Sequence, residues 1–161
     1  MIKIEEGKFY FLKDSFFEKM KDSNLAQNKD NGNKRPCYYC FRDKKEDELI
    51  WFMPISSKVN KYKKIYEEKL KKYKRVDTLV FGKLNGEERV FLIQNMFPTI
   101  EKYIEEIYVR KSEDVTITYT LERQIKEKAN LVLEIAKKCK KVIFPDIMKI
   151  KEILLKELEI E

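Results

Sequence analysis

The sequence predicts an α+β fold, in which several helices are added to a compact, curled antiparallel β-sheet or barrel. Short aromatic and β-branched runs, typical of strands, alternate with lysine-rich segments that have helical periodicity. The predicted strands are joined in pairs by turns too short for a parallel crossover. The 161 residues have a hydrophobic fraction of 43%, which is enough to bury a core as a single domain, residues 1–161.

The N-terminal part is predicted to contain a strand, a short helix and a long loop. Residues 8–12 are mostly aromatic, which predicts the strand, and Asp14 or Ser15 can cap a helix that reaches Met20. Residues 23–34 are polar and rich in asparagine, which predicts the loop. A loop of this length is more typical of a functional segment than of a simple turn.

A β-hairpin is predicted next. Residues 36–41 and 49–55 form two apolar runs, and a charged turn at 42–48 separates them. The second run is apolar almost throughout, which indicates burial on both faces. Pro54 marks the end of this strand, because proline cannot donate a hydrogen bond to the sheet.

Residues 58–74 predict an amphipathic helix with one lysine-rich face. Its apolar residues recur at helical spacing, as Val59, Tyr62, Ile65, Tyr66, Leu70 and Tyr73. A third strand at 77–81 and a fourth at 89–93 follow, joined through the turn dipeptide Asn85-Gly86.

The C-terminal part is predicted to be mainly helical. Pro98 opens a helix, residues 116–139 form the longest helix, and a last helix runs from Pro145 or Asp146 to about Leu158. The first of these has one apolar face, formed by Ile100, Tyr103, Ile104 and Ile107. Residues 142–144 form either a short strand or a linker. In total, the pattern predicts four or five antiparallel strands and four or five helices.

The charge balance indicates the class of partner. Lysine and arginine number 35 against 28 acidic residues, so the net charge is +7. A basic protein favours a polyanion such as RNA or DNA, or an acidic membrane face. A generally lysine-rich proteome would produce the same charge without any such partner. The chain has no histidine, so its chemistry must proceed without the commonest general acid and base.

The cysteines predict neither a metal site nor a disulfide framework. Cys37, Cys40 and Cys139 make an odd count, which favours free thiols in a cytoplasmic protein. Residues three apart in a strand point to opposite faces, and no second cysteine or histidine pair completes a zinc site. We therefore expect no metal and no cofactor. We also expect no membrane association, since no stretch approaches the roughly 20 apolar residues of a membrane helix.

Polar side chains at two strand ends are the candidate catalytic groups. Asn33-Lys34-Arg35 precedes the first strand of the predicted hairpin, and Ser56-Ser57-Lys58 follows the second. Antiparallel pairing places the start of one strand beside the end of the other, so Arg35 falls within reach of the serines and Lys58. A guanidinium, an ammonium and two hydroxyls together form a plausible site for a phosphate oxyanion. No P-loop, dinucleotide fingerprint or Gly-x-Ser-x-Gly motif offers another site.

RNA is the substrate that such a site can cleave without histidine, because RNA carries its own nucleophile, the 2′-hydroxyl. Alignment and charge stabilisation can each contribute several kcal/mol. We expect Arg35 and Lys58 to stabilise charge, while Ser56 or Ser57 orients or relays a proton. The alternative is that the serines cap the following helix and Lys58 is simply solvated. Candidate RNA contacts, from charge and from rings on which bases can stack, are Lys34, Tyr38, Lys61, Tyr62 and Lys64.

Four short motifs carry a resemblance to a known family. In order they are Lys8-Phe9-Tyr10, Asn33-Lys34-Arg35-Pro36, Pro54-Ile55-Ser56-Ser57-Lys58 and Leu92-Ile93-Gln94-Asn95-Met96-Phe97-Pro98. With a helical C-terminal portion after them, the chain resembles the endoribonuclease toxins of type III toxin–antitoxin systems. Their groups include ToxN, AbiQ, CptN and TenpN, and the chain is most similar to CptN.

The resemblance implies a specific function. The fold would be the compact barrel of the MazF and PemK toxins with added helices. The activity would be metal-independent, sequence-selective RNA cleavage that leaves a 2′,3′-cyclic phosphate. The antitoxin would be a small repetitive pseudoknot RNA, which the toxin cuts from its precursor and binds in a closed toxin–RNA assembly.

The resemblance also implies which residues act in catalysis. Arg35 stands where the family has a basic residue, and Ser56, Ser57 and Lys58 stand at its second cluster. Here Lys58 follows the serine pair with no spacer, so either serine can be the essential hydroxyl. Two other classes of function are compatible with the residues: a non-catalytic basic RNA-binding protein, and a basic structural or phage-encoded interaction protein.

Overall fold

A seven-stranded antiparallel sheet forms the centre of the structure. This computed structural model describes residues 3–25, 29–30, 33–138 and 141–160, with residues 29–30 described by their backbone alone. In spatial order the sheet contains β6 (Leu79–Leu84), β7 (Glu87–Leu92), β5 (Ile50–Ser56), β4 (Cys37–Arg42), β1 (Phe9–Leu12) and β9 (Ile104–Ile107), and β8 (Phe97–Thr99) also pairs with β5. Two small hairpins lie outside it, β2 (Lys29–Asp30) with β3 (Asn33–Lys34) and β10 (Val109–Arg110) with β11 (Glu113–Asp114).

Four α-helices pack around this sheet in the described part of the chain. They are α1 (Asp14–Met20), α2 (Val59–Tyr73), α3 (Tyr119–Lys137) and α4 (Ile147–Ile160). Thr118 caps α3, because its side chain accepts a hydrogen bond from the backbone N–H of Leu121. None of the described helices is both long and apolar enough to cross a bilayer.

The predicted β4–β5 hairpin forms, with one register shift between Tyr39 and Phe41. Cys37 lies opposite Pro54, and Tyr38 lies opposite Met53. The charged turn is organised by Asp43, whose buried carboxylate accepts hydrogen bonds from the indole of Trp51 at 2.9 Å and from the backbone N–H groups of Lys45 and Glu46. This local network organises the turn end of the hairpin.

Alternation along the strands divides the core into two layers. Tyr38, Cys40 and Met53 face one layer, which α3 covers with an apolar face that includes Leu121, Ile125, Ala129 and Val132. The residues between them, including Tyr39 and Phe52, face the other layer, which α1 and α4 cover. The period of two in strands and the helical stripes therefore bury both sides of the sheet.

Helix α2 is packed more lightly than α3 and α4. None of its residues is buried, and its half-buried side chains rest on a small separate cluster formed mainly by the β6–β7 hairpin. Asn85 and Gly86 both have positive φ, which fits the predicted two-residue hairpin turn. The second half of β5 pairs with β7, with Ser56 opposite Val90. This pairing places α2 and its hairpin beside the end of β5.

The sheet is open and does not close into a barrel, because its outer strands β6 and β9 do not pair with each other. The predicted helix after Pro98 is also wrong. Residues 97–99 form β8, with Pro98 opposite Trp51, and residues 104–107 form β9 beside β1. The apolar pattern of this region suits strands as well as a helix. The edges of β1 and β5 were available for pairing, and these residues pair with them as strands. Residues 142–144 are a linker, not a strand.

Candidate active site

Arg35 lies at the end of β5, as the antiparallel register requires. It precedes β4 by two residues, and its guanidinium donates a hydrogen bond from Nη2 to the carbonyl oxygen of Ile55 at 3.2 Å. The side chain is half-buried. This bond holds the planar cation beside the point where β5 passes into Ser56 and Ser57.

The two serines are placed differently. Ser56 ends β5 and is 6% exposed, and its Oγ accepts a hydrogen bond from the backbone N–H of Lys58 at 3.1 Å. Ser57 is exposed. Its carbonyl oxygen accepts from the N–H of Val59 at 2.9 Å. Both serines line the groove described below, but the Ser56 hydroxyl is buried and bonded to the backbone, whereas Ser57 is exposed.

Neither serine occupies the N-cap position of α2, although the Ser56 hydroxyl satisfies one backbone donor, the N–H of Lys58, just ahead of the helix. Lys58 occupies the N-cap position without a side-chain capping bond, and the first turn contains no acidic residue. The N-terminus of a helix carries a partial positive charge and unsatisfied N–H groups. The start of α2 thus adds to the positive charge of Lys58, at a place that suits an anion.

These residues line one groove of about 630 Å³. Six cationic residues line it: Lys34, Arg35, Lys58, Lys61, Arg89 and Arg110. Its described lining contains no carboxylate, and it also includes three asparagines (Asn33, Asn85 and Asn95) and two tyrosines (Tyr62 and Tyr108). A cationic groove with amides and aromatic rings suits the phosphates and bases of a nucleic acid strand.

The six cations are not equally free. Lys34 forms an ion pair with Glu105 of β9, and the hydrogen bond in this pair raises the pKa of Lys34. Arg89 is paired with Glu87, which lies two residues before it. Arg35, Lys58, Lys61 and Arg110 form no ion pair with any residue that the structure describes. Most of the available positive charge therefore belongs to these four.

The expected RNA-contacting residues divide into three groups. Lys34, Lys61 and Tyr62 line the groove, and Lys61 Nζ lies 5.3 Å from the centre of the Tyr62 ring. Lys64 is exposed on α2 but outside the groove lining. The prediction that Tyr38 contacts RNA is wrong, because its side chain is 0% exposed and its ring packs against Phe9 and Phe91. Alternation along β4 points the side chain of Tyr38 into the core.

Several residues that line the groove were not predicted from the sequence. Arg89 and Asn85 belong to a hairpin whose strands were predicted, but the pairing of β7 with β5 that brings them to the site was not. Tyr108 and Arg110 follow a segment that was expected to be helical. The Asn85-Gly86 turn is the one sequence signal that could have pointed to this wall of the groove, since it fixes Arg89 three residues beyond the turn.

The cysteines that the structure describes do not line this groove. Cys37 and Cys40 are free and buried, and they belong to different core layers, as strand alternation predicts. Burial raises the pKa of the Cys37 thiol to about 12 and also raises that of Cys40. Cys139 lies outside the described residues. Among those residues, no group of three or more histidine, cysteine or acidic side chains is arranged to hold a metal ion.

The chain was compared with known proteins in three ways. A scan against protein-family models and a search of curated proteins found no match. Among solved structures, the chain is similar to AbiQ, described as a lactococcal anti-phage endoribonuclease belonging to the type III toxin–antitoxin system. The TM-score is 0.71 and the sequence identity 13%, over 94% of this chain and 98% of AbiQ. The similarity establishes a shared fold. Similarity to CptN and to the MazF and PemK toxins remains a prediction.

Proposed function

We propose that the chain, acting as a single unit over residues 1–161, is a sequence-selective, metal-independent endoribonuclease toxin of a type III toxin–antitoxin system. The fold shared with AbiQ supports this proposal, and so do the family motifs in the sequence. The observation that carries it is the convergence of Arg35, Ser57 and Lys58 in one groove with six cations and no carboxylate among its described lining residues.

The proposed reaction is an attack of the RNA 2′-oxygen on the adjacent phosphorus. The bond from phosphorus to the 5′-oxygen breaks, leaving a 2′,3′-cyclic phosphate and a 5′-hydroxyl. The proton of the 2′-hydroxyl leaves through the Ser57 hydroxyl or water, and the departing 5′-oxygen takes up a proton from water. This chemistry needs alignment and charge stabilisation more than it needs an imidazole.

Each residue of the site has a proposed role in this reaction. Arg35 and Lys58 neutralise the charge that develops on the phosphate oxygens, assisted by the N-terminus of α2. Ser57 contacts the reacting phosphate. Ser56 acts as a positioning residue, because its hydroxyl holds the backbone N–H of Lys58. The hydrogen bond to Ile55 holds Arg35 in place at the strand end.

The proposed partners are cellular RNA, as substrate, and a small repetitive pseudoknot RNA, as antitoxin. The same groove would hold the antitoxin and the substrate, so the antitoxin inhibits by occupying it. The toxin would cut the antitoxin precursor into repeat units and assemble with them into a closed heteromer in the cytoplasm. Neither a metal nor a cofactor is part of the proposed reaction.

The decisive experiment is incubation of the purified protein with RNA in EDTA, followed by analysis of the new ends. We expect fragments with 2′,3′-cyclic phosphate and 5′-hydroxyl ends. Ends with a 5′-phosphate would contradict the proposed chemistry. Tight RNA binding without any cleavage would instead support the alternative, a non-catalytic RNA-binding protein.

A substitution links this activity to the groove. We expect Lys58→Ala to lower the cleavage rate by about 10²–10³-fold and to relieve growth arrest on expression, while the folded protein still binds RNA. Lys44→Ala is the matched control, since Lys44 is an exposed lysine in the β4–β5 turn, at the other end of the hairpin. Equal toxicity of the Lys58→Ala and wild-type proteins would exclude Lys58 from catalysis.

A further inference from the structure

Helix α2 presents a face of lysines that continues outward from the groove. Lys61, Lys64, Lys71 and Lys72 lie within an arc of about 100° when they are projected down the helix axis. From Lys61 to Lys72 this face extends about 16 Å along the helix. Lys61 lines the groove and the other three, which are exposed, do not. The face is therefore a surface that begins at the groove and leads away from it.

The lysines of this face form no ion pair with a described residue, although Lys61 and Lys72 each lie over the ring of the tyrosine that follows them. On α3 and α4, Lys126, Lys137 and Lys156 form ion pairs with acidic residues three or four positions away. Within the described part of the chain, no ion pair involves any of the four lysines on the α2 face. Glu68 is the one carboxylate on the face, so the face carries a net charge of about +3.

The packing of α2 does not require this face. The residues that contact the β6–β7 hairpin, chiefly Val59, Tyr62, Ile65 and Tyr66, lie outside the arc of the four lysines. Lys71 and Lys72 stand in the last turn of α2, where the helix dipole favours cations, whereas Lys61 and Lys64 are like charges three residues apart near its start. Helix stability therefore favours the lysines at the end of the face and not those beside the groove.

The chemistry of the face selects its ligand. The positions between Asn60 and Lys72 that point the same way are polar or charged, and the exposed apolar residues of α2, Leu70 and Tyr73, lie outside that arc. Protein partners are usually anchored by buried aromatic or aliphatic side chains, which this face does not offer. A row of cations that form no ion pair with a described residue, and that has no apolar anchors, suits a phosphate backbone bound without regard to sequence.

We propose that Lys64, Lys71 and Lys72 bind the phosphates of single-stranded RNA that extends beyond the groove. The inference rests on the proposed function, since it takes RNA as the ligand of the groove. The groove cleaves, and the face of α2 retains the flanking strand. The enzyme accordingly prefers long RNA over short oligonucleotides, and this preference has its origin in charge.

The test compares two variants that lose equal charge. One carries Lys64→Gln, Lys71→Gln and Lys72→Gln. The control carries Lys137→Gln, Lys149→Gln and Lys156→Gln, at exposed positions of α3 and α4 outside the groove lining. The probes are fluorescent 2′-O-methyl oligouridines of about six and about eighteen nucleotides, which lack the attacking hydroxyl and span the range of single-strand sites. An oligoglutamate of similar charge serves as a protein-like polyanion.

For each variant, we compare the affinity for the long probe with the affinity for the short probe at about 50 mM salt. We expect the ratio of the two to fall about tenfold in the α2 variant and to stay unchanged in the control variant. The slope of log affinity against log salt for the long probe should fall by about 2, because three contacts to a single strand are removed. Equal ratios for the two variants would overturn the inference. An equal loss of oligoglutamate binding would overturn the choice of RNA as the ligand. Cleavage of natural RNA by the wild-type protein, measured in parallel, separates failure of this inference from failure of the proposed function.

Discussion

Ser56 and Ser57 are adjacent in the sequence, yet the structure predicts opposite consequences for their loss. Ser56 is 6% exposed, and its hydroxyl accepts the hydrogen bond of the Lys58 N–H at 3.1 Å. Ser57 is exposed and is a lining residue of the groove, as Ser56 is. We therefore expect Ser56→Ala to act mainly on stability and Ser57→Ala to act mainly on the reaction.

The magnitudes follow from these environments. Ser56→Ala removes one hydrogen bond and leaves the N–H of Lys58 without its partner, at a cost of about 1 kcal/mol in the free energy of unfolding. For a chain of 161 residues this lowers the Tm by about 3 °C. Ser57→Ala breaks no side-chain hydrogen bond to a residue that the structure describes, so its Tm should stay within about 1 °C of wild type. Its cleavage rate should fall by about 10²-fold, the usual cost of losing one group that contacts the reacting oxygens.

The assay measures single-turnover cleavage of RNA together with thermal unfolding, for both variants and for Ser57→Thr. Threonine keeps a hydroxyl, so Ser57→Thr should recover part of the rate that Ser57→Ala loses. Full activity of Ser57→Ala would refute the reasoning, as would a Ser56→Ala variant that is inactive at an unchanged Tm. Either result would mean that the buried hydroxyl, not the exposed one, reaches the phosphate.

Two further predictions concern charge. Burial raises the pKa of Glu157, but hydrogen bonds from Lys19, Tyr103 and Lys102 outweigh it and lower the pKa from 4.5 to about 2. Because the folded-state pKa is depressed, the stabilisation of about 3 kcal/mol is present above pH 4.5 and disappears as the pH falls towards 2. Urea unfolding at a series of pH values should show this loss in the wild type and not in Glu157→Gln, and parallel curves would contradict it. At the site, Arg35→Lys keeps the charge but not the planar fork that reaches the Ile55 carbonyl, so cleavage should fall about tenfold, and more for Arg35→Ala. Equal rates for Arg35→Lys and wild type would show that only the charge matters.

One half of the candidate site was predictable from sequence because it depends on a single hairpin. The charged turn and the two apolar runs define the β4–β5 pairing, and antiparallel geometry then brings Arg35 beside Ser56. These contacts join residues close in the sequence, so few alternative arrangements compete with them. Helix α2 was also predictable, because the spacing of its apolar residues is a property of a single segment.

The other half of the groove was not predictable, because it depends on pairing between distant segments. Arg89 reaches the site only because β7 pairs with the last residues of β5. Tyr108 reaches it only because residues 104–107 became a strand beside β1. Their apolar spacing fits a helix and a strand alike, and only the available edge of β1 decided between them. Tyr38 shows the same limit, because the side chain of an aromatic strand residue can point to either face of the sheet. The position of α3 made the face of Tyr38 part of the core.

The sequence by itself determined the positive charge, the absence of histidine, the β4–β5 hairpin and the lysine face of α2, because each depends on composition or on contacts within one segment. The tertiary structure decided that the sheet stays open, which strands complete the groove, and which of two adjacent serines is buried. The physical reason is that these features depend on which edges and faces remain uncovered once the local elements have formed, and no local pattern specifies that.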